Sequence, residues 1–101
     1  MTVSQTHRAS IHWSRDQQRL GLPTTTLMTD PAWLAAETPR ENEGWSLVCE
    51  FERPPAEQGS PSQALVHYLV PAAPHSQLVL GARLQLFERA TGQTAEVEIL
   101  S

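Results

Sequence analysis

The stretch GARLQLFERATGQTAEVEIL, residues 81–100, decides the fold. Ala82, Leu84 and Leu86 alternate with Arg83, Gln85 and Phe87, and after Thr91, Gly92 and Gln93 the pattern resumes with Ala95, Val97 and Ile99 opposite Glu96 and Glu98. A period of two on both sides of a turn predicts an antiparallel hairpin with one face in a core and one in water, connected through residues 88–93.

Working backwards, residues 64–70 (ALVHYLV) are nearly continuous in apolar character, which predicts a strand covered on both sides or curled across a barrel. A long corner follows, made of Pro71, Ala72, Ala73 and Pro74 and then Leu78, Val79, Leu80 and Gly81. Upstream, Trp45, Leu47, Cys49 and Phe51 share one face of an extended segment, with Ser46, Glu50 and Glu52 on the other and Val48 breaking the alternation. Residues 54–62 carry three prolines and a glycine and predict a loop.

The first half is less regular. Residues 8–14 read as a first strand, with Ile11 and Trp13 on one face and Ser10 and His12 on the other, and the β-branched residues 24–28 as a second, weaker one. Asp30 followed by Pro31 has the form of a helix start, so residues 30–37 are expected to form one or two helical turns. Pro39 and the charged residues 40–44 would end them. About six short strands separated by Gly/Pro corners, with one short helix, predict an all-β fold, a small antiparallel Greek-key-like barrel. Its 101 residues make a single domain, with residues 1–7 as a flexible tail.

Residues 81–88 resemble the penultimate strand of the C-terminal β-barrel domain of elongation factor Tu, where glycine, arginine, alternating apolar positions and glutamate recur at the same spacing. Residues 64–81, ALVHYLVPAAPHSQLVLG, resemble that domain's approach to the strand, and together the similarity runs from residue 45 to residue 100. The resemblance implies the fold of that domain, free-standing and without its GTPase. The family's tRNA and partner contacts are not carried over. Arg89 follows Glu88 where the family has glycine, the last strand reads Ala95, Glu96, Val97 where it has small residues and glycine, and its Arg-Pro-aromatic element has no counterpart. No GxxxxGK[ST] loop is present to cradle phosphates.

Composition narrows function. All seven basic residues are arginines, which excludes Schiff-base chemistry on lysine. The first 29 residues carry three arginines against one aspartate, a balance of +2, and the other 72 carry four against ten carboxylates, −6, so most of the surface should repel polyanions. The lone Cys49 cannot form an internal disulfide, and neither an apolar leader nor a membrane-length apolar run is present. A cytoplasmic protein with no membrane role is expected.

No catalytic, metal or cofactor site emerges. Cys49 shares its face with Trp45, Leu47 and Phe51 and reads as an inert buried thiol. His7, His12, His67 and His75 form no HxH or HExxH pair. The pairs Glu50/Glu52 and Glu96/Glu98 read as polar outer faces, paired across strands with Arg53 or Arg83, and the serines of residues 59–62 lack the GxSxG setting. The expected role is therefore a non-catalytic module that binds a protein partner. Its expected contact region is an irregular connection over residues 15–44, with Arg15, Arg19 and Trp33 as candidate partner-binding residues. Trp33, one turn into the expected helix, either plugs a barrel end or anchors a partner, the plug being favoured. Two alternatives stand beside this: an RNA-contacting accessory factor related to translation, using Arg8, Arg15 and Arg19 around Trp13, or a small ligand-binding barrel.

Overall fold

The computed structural model describes residues 6–35, 44–88 and 92–101. Six strands, β1 (His7–Trp13), β2 (Leu27–Leu34), β3 (Trp45–Glu50), β4 (Ser62–Tyr68), β5 (Arg83–Glu88) and β6 (Gly92–Ile99), close into a barrel in the order β1-β4-β3-β2-β5-β6. Every pairing is antiparallel. Strands β2, β3 and β4 are sequential neighbours, with β1 beside β4 and β5 returning beside β2, so two Greek keys share that trio. Closure pairs every strand on both sides, although β2 meets β5 only from Ala32 to Leu34.

The hairpin that decides the fold forms, with Glu88, Gly92 and Gln93 of the expected connection belonging to its paired strands. Leu84 pairs with Val97 and Leu86 with Ala95, all buried, and a bulge between Leu86 and Phe87 resets the register before the turn. Residues 89–91 of that turn lie outside the described residues. Strand β4 is more regular than its composition suggests: Ser62, Ala64, Val66 and Tyr68 point inward and are buried, whereas Gln63 and Leu65 are exposed. Outward-facing Val48 is nonetheless buried, lying between its cross-strand partners Thr29 and His67.

Three expectations fail between residues 15 and 44: of the weaker strand expected over residues 24–28, only Leu27 and Met28 belong to a strand, the start of β2. The Asp30–Pro31 helix start is instead the middle of β2, which pairs with β3 from Leu27 to Ala32. Pairing of β2 with β5 covers just Ala32 to Leu34, so the proline sits where the ladder on that side has ended and its missing N–H breaks no bond there. The connection from β1 is also not irregular, because residues Arg15–Leu20 form a short helix, α1. The Ser14 hydroxyl accepts from the Gln17 N–H at 3.1 Å, Asp16 lies in the first turn, and Gly21, at φ 108°, stops it. Of the expected charged connection over residues 39–44, Gly44 alone is described, and of the expected tail residues 1–5 lie outside the description while His7 already belongs to β1.

The barrel is filled and closed at both ends. At the end where β1 stops and β4 begins, the ring centroids of Trp13 and Phe51 stand 6.5 Å apart. The Trp13 indole N–H donates to the Ser62 hydroxyl at 2.9 Å, and that hydroxyl donates to the Gly59 carbonyl at 2.6 Å. A four-residue helix, α2 (Pro55–Gln58), lies there with Pro55 buried, tied down by the Ala56 N–H donating to the Pro23 carbonyl. At the other end the connection over residues 69–82 crosses from β4 to β5 through a single 3₁₀ turn, His75–Gln77, burying Ala73 and Leu78 near Tyr68. The His75 ring meets Tyr68 edge-on at 5.8 Å, and its Nε2 lies 3.0 Å from the Pro71 carbonyl.

Candidate interaction surface

The residues singled out from sequence do not form one patch. Arg15 and Arg19 stand on α1, a helix with no buried residue, and Arg19 lies 3.8 Å from Asp16 in an ion pair open to solvent on both sides. Such a pair contributes a few tenths of a kcal/mol at most, about the value of exposed helix pairs. Trp33 stands on the outward alternate of β2, not on a helix and not across a barrel end. Its half-buried ring meets Phe87 edge-on at 5.3 Å, and a Cβ placed on Gly44 would come within 2.7 Å of it. In the barrel order β5 and β6 lie between the strand of Trp33 and the strand that leads into α1. The basic-aromatic cluster is likewise dispersed: Trp13 is 5% exposed and has no face to stack on a base, and Arg8 is near the opposite end of β1 from α1.

The titratable groups have structural surroundings. Cys49 is fully buried, and burial first, with the Asp30 carboxylate second, pushes its thiol from the ordinary 9.0 up to about 12, so no thiolate is available as a nucleophile near neutrality. Arg83 reaches Glu96 across the β5–β6 ladder at 3.0 Å, and His12 lies 3.8 Å from Glu98 on the same outer wall. Among the described residues no three His, Cys, Asp or Glu side chains are gathered as a metal site. Ser60 and Ser62 serve Trp13, accepting from its backbone and indole N–H groups. Among the described residues, no helix is long and apolar enough to cross a membrane.

At the end of the barrel crossed by residues 69–82, which sequence reading passed over as a corner, several apolar side chains are exposed. Leu80 is 74% exposed, Leu69 56% and Val79 55%, with Val70 and Trp45 more than a third exposed. The Leu69 N–H donates to the Ser46 carbonyl, fixing it beside the start of β3, and the Gly81 N–H donates to the Ile99 carbonyl, fixing the far side of the crossing to β6. From Tyr68 to Ala82 the chain has no Asp, Glu, Lys or Arg. That stretch is the second part of a charge-free run of twenty-five residues, 58–82, and its signal was masked by the prolines that also mark a turn.

No family model, curated protein or solved structure matches the chain. The surface itself therefore has to carry the functional reading.

Proposed function

We propose that this chain is a non-catalytic interaction module, a small barrel that binds a protein partner through the apolar end formed by residues 69–82. One observation carries the reading: Leu69, Val79 and Leu80 are more than half exposed in a segment without a single charge, on a chain whose net charge is −4. Exposed apolar side chains scattered singly are ordinary, but several of them along one uncharged crossing are the composition of an interface centre. The partner face should be apolar at its centre as well. In this reading the module works in the cytoplasm, in keeping with a lone thiol held in the core. The resemblance to the C-terminal domain of elongation factor Tu agrees with a barrel that presents its surface to partners, though by residues different from those of that family.

The test is a tagged pull-down from host lysate, split into RNase-treated and untreated halves, with wild type, the Leu69→Ser/Leu80→Ser variant and the Arg15→Gln/Arg19→Gln variant run in parallel. The expected result is a stoichiometric protein that survives RNase, is lost from the leucine variant and is retained by the arginine variant. Loss of all bound protein on RNase treatment or in the arginine variant alone would move the function to RNA contact.

A further inference from the structure

A second binding feature lies on the barrel wall, away from the apolar end. Strand β4 runs between β1 and β3, and in the paired register Leu65 stands directly opposite Arg8 on one side and Glu50 on the other. Two strand spacings of about 4.8 Å place the arginine and glutamate backbones roughly 10 Å apart, with an exposed leucine between them. The wall is hollow here. Strand β3 stops at Glu50, Phe51 turns under into the core, and Glu52 returns to the surface, opening a groove of about 470 Å³ lined by Arg8, Glu50, Phe51, Glu52, Gln63 and Leu65. That volume lies within the range of small-ligand and peptide pockets, roughly 300 to 1,000 Å³.

The charges around it have not been used by the fold. Among the described residues the ion pairs are His12–Glu98, Arg19–Asp16 and Arg83–Glu96, and none involves Arg8, Glu50 or Glu52. Gln63, by contrast, is tied down: its side chain donates to the Ser10 hydroxyl and its backbone N–H donates to the Gln58 side chain, which holds the groove floor in place. The groove thus offers a guanidinium at one rim, two carboxylates at the other and an apolar step between. A ligand that complements it must carry both charges, separated by about the width of two strand spacings, with apolar atoms in the middle.

We propose that this groove binds an extended segment of a partner protein, a basic side chain meeting Glu50 and Glu52 and an acidic side chain meeting Arg8, with apolar residues between them over Leu65. The spacing selects the conformation. A polyproline-II segment rises about 3.1 Å per residue with three residues per turn, so residues i and i+3 project from the same side about 9 Å apart. In a β-strand those two residues would project to opposite sides. The matching motif is therefore basic-x-x-acidic with proline or another apolar residue inside it.

The experiment is an amide-correlation NMR titration of the full chain with acetyl-Arg-Pro-Leu-Glu-amide, with peptides in which the arginine, the glutamate or both are replaced by glutamine as comparisons. Saturable shifts confined to the neighbourhood of Arg8, Glu50, Glu52 and Leu65 are expected, weakening with salt. Affinity should fall about fivefold or more in the Glu50→Gln/Glu52→Gln variant, and in Arg8→Gln, each substitution making the matching neutral peptide no worse than the charged one. These positions are exposed, and the same spectra report that each variant keeps its fold. The Leu69→Ser/Leu80→Ser variant should bind the peptide unchanged, which separates this site from the apolar end. No saturable shift up to about 10 mM peptide, or equal shifts from the doubly neutral peptide, would overturn the proposal.

Discussion

The two ends of the barrel are sealed by different chemistry. Where β1 stops and β4 starts, Trp13, Phe51 and Pro55 fill the opening, and Trp13 is held by hydrogen bonds to Ser60 and to Ser62, whose hydroxyl donates to Gly59. The chain covering them is charged, with Glu52, Arg53 and Glu57 beside it and the exposed Leu20 and Leu27 scattered among Arg15, Asp16, Arg19 and three threonines. At the other end Leu78, Ala73 and Tyr68 fill the opening under a crossing that bears no charge and turns Leu69, Val79 and Leu80 outward. Sealing requires apolar residues that point in and says nothing about those that point out. The first end carries a largely polar and charged exterior in which Leu20 and Leu27 are interspersed, so a charge-free apolar exterior like that of the second is not a demand of the fold.

The largest effect that can test this comparison comes from emptying each seal in turn. Trp13→Ala removes a buried ring and leaves the Ser62 hydroxyl without its donor, and should cost about 3–5 kcal/mol, a loss large enough to threaten folding at this size. Leu78→Ala should cost about 2–3 kcal/mol, toward the lower part of the range for buried leucines because it sits under a loop and not between strands. Urea unfolding midpoints measure both. A cost below about 1 kcal/mol for Leu78→Ala would mean that the charge-free crossing does not seal the barrel, and the comparison between ends would lose its basis.

Between the ends the dryness of the interior can be measured through Cys49. Burial pushes its thiol up to about 12 in the folded state, against 9.0 for the ordinary group. Below pH 9 both states hold the proton and the thiol adds no pH dependence. Above it the unfolded chain ionises first, so it binds fewer protons than the folded one and stability falls as pH rises towards 12, by about 1.4 kcal/mol per unit. Comparing the slope of stability against pH in the wild type with that in Cys49→Ala isolates this contribution from any other titrating group. Equal slopes would show that water reaches the thiol from one of the ends.

The same distinction, between what must point inward and what is left free, explains how much could be read in advance. The β5–β6 hairpin was legible because Leu84, Leu86, Ala95 and Val97 alternate strictly with polar residues, and one buried face leaves a period of two in the sequence. Strand β2 was not. Asp30 and Pro31 carry the local chemistry of a helix start, and what overrode it was pairing with Leu47 and Ser46 of β3, a tertiary fact with no trace in the local sequence. Helix α1 was missed because a six-residue helix with no buried face has no apolar period to read. The groove at Leu65 depends on three strands meeting in a particular register, with Arg8, Leu65 and Glu50 far apart along the chain. Sequence reading identified Glu50 and Glu52 as an outer-face pair, but the arginine across from them could not be found without the fold.

The smallest stability effect is the one that sharpens the comparison most. If Leu69 and Leu80 are exposed for a reason other than folding, replacing both with serine removes apolar surface that is already largely in water and should change the unfolding free energy by no more than about 0.5 kcal/mol. Burial arithmetic sets the scale: at roughly 25 cal/mol per Å², a side chain that leaves more than half its area in water contributes little to the folded state. Loss of the partner with stability unchanged assigns these leucines to binding. A drop of about 2 kcal/mol or more would instead mean that they hold the crossing in place over Leu78, and the apolar exterior would then belong to the seal after all.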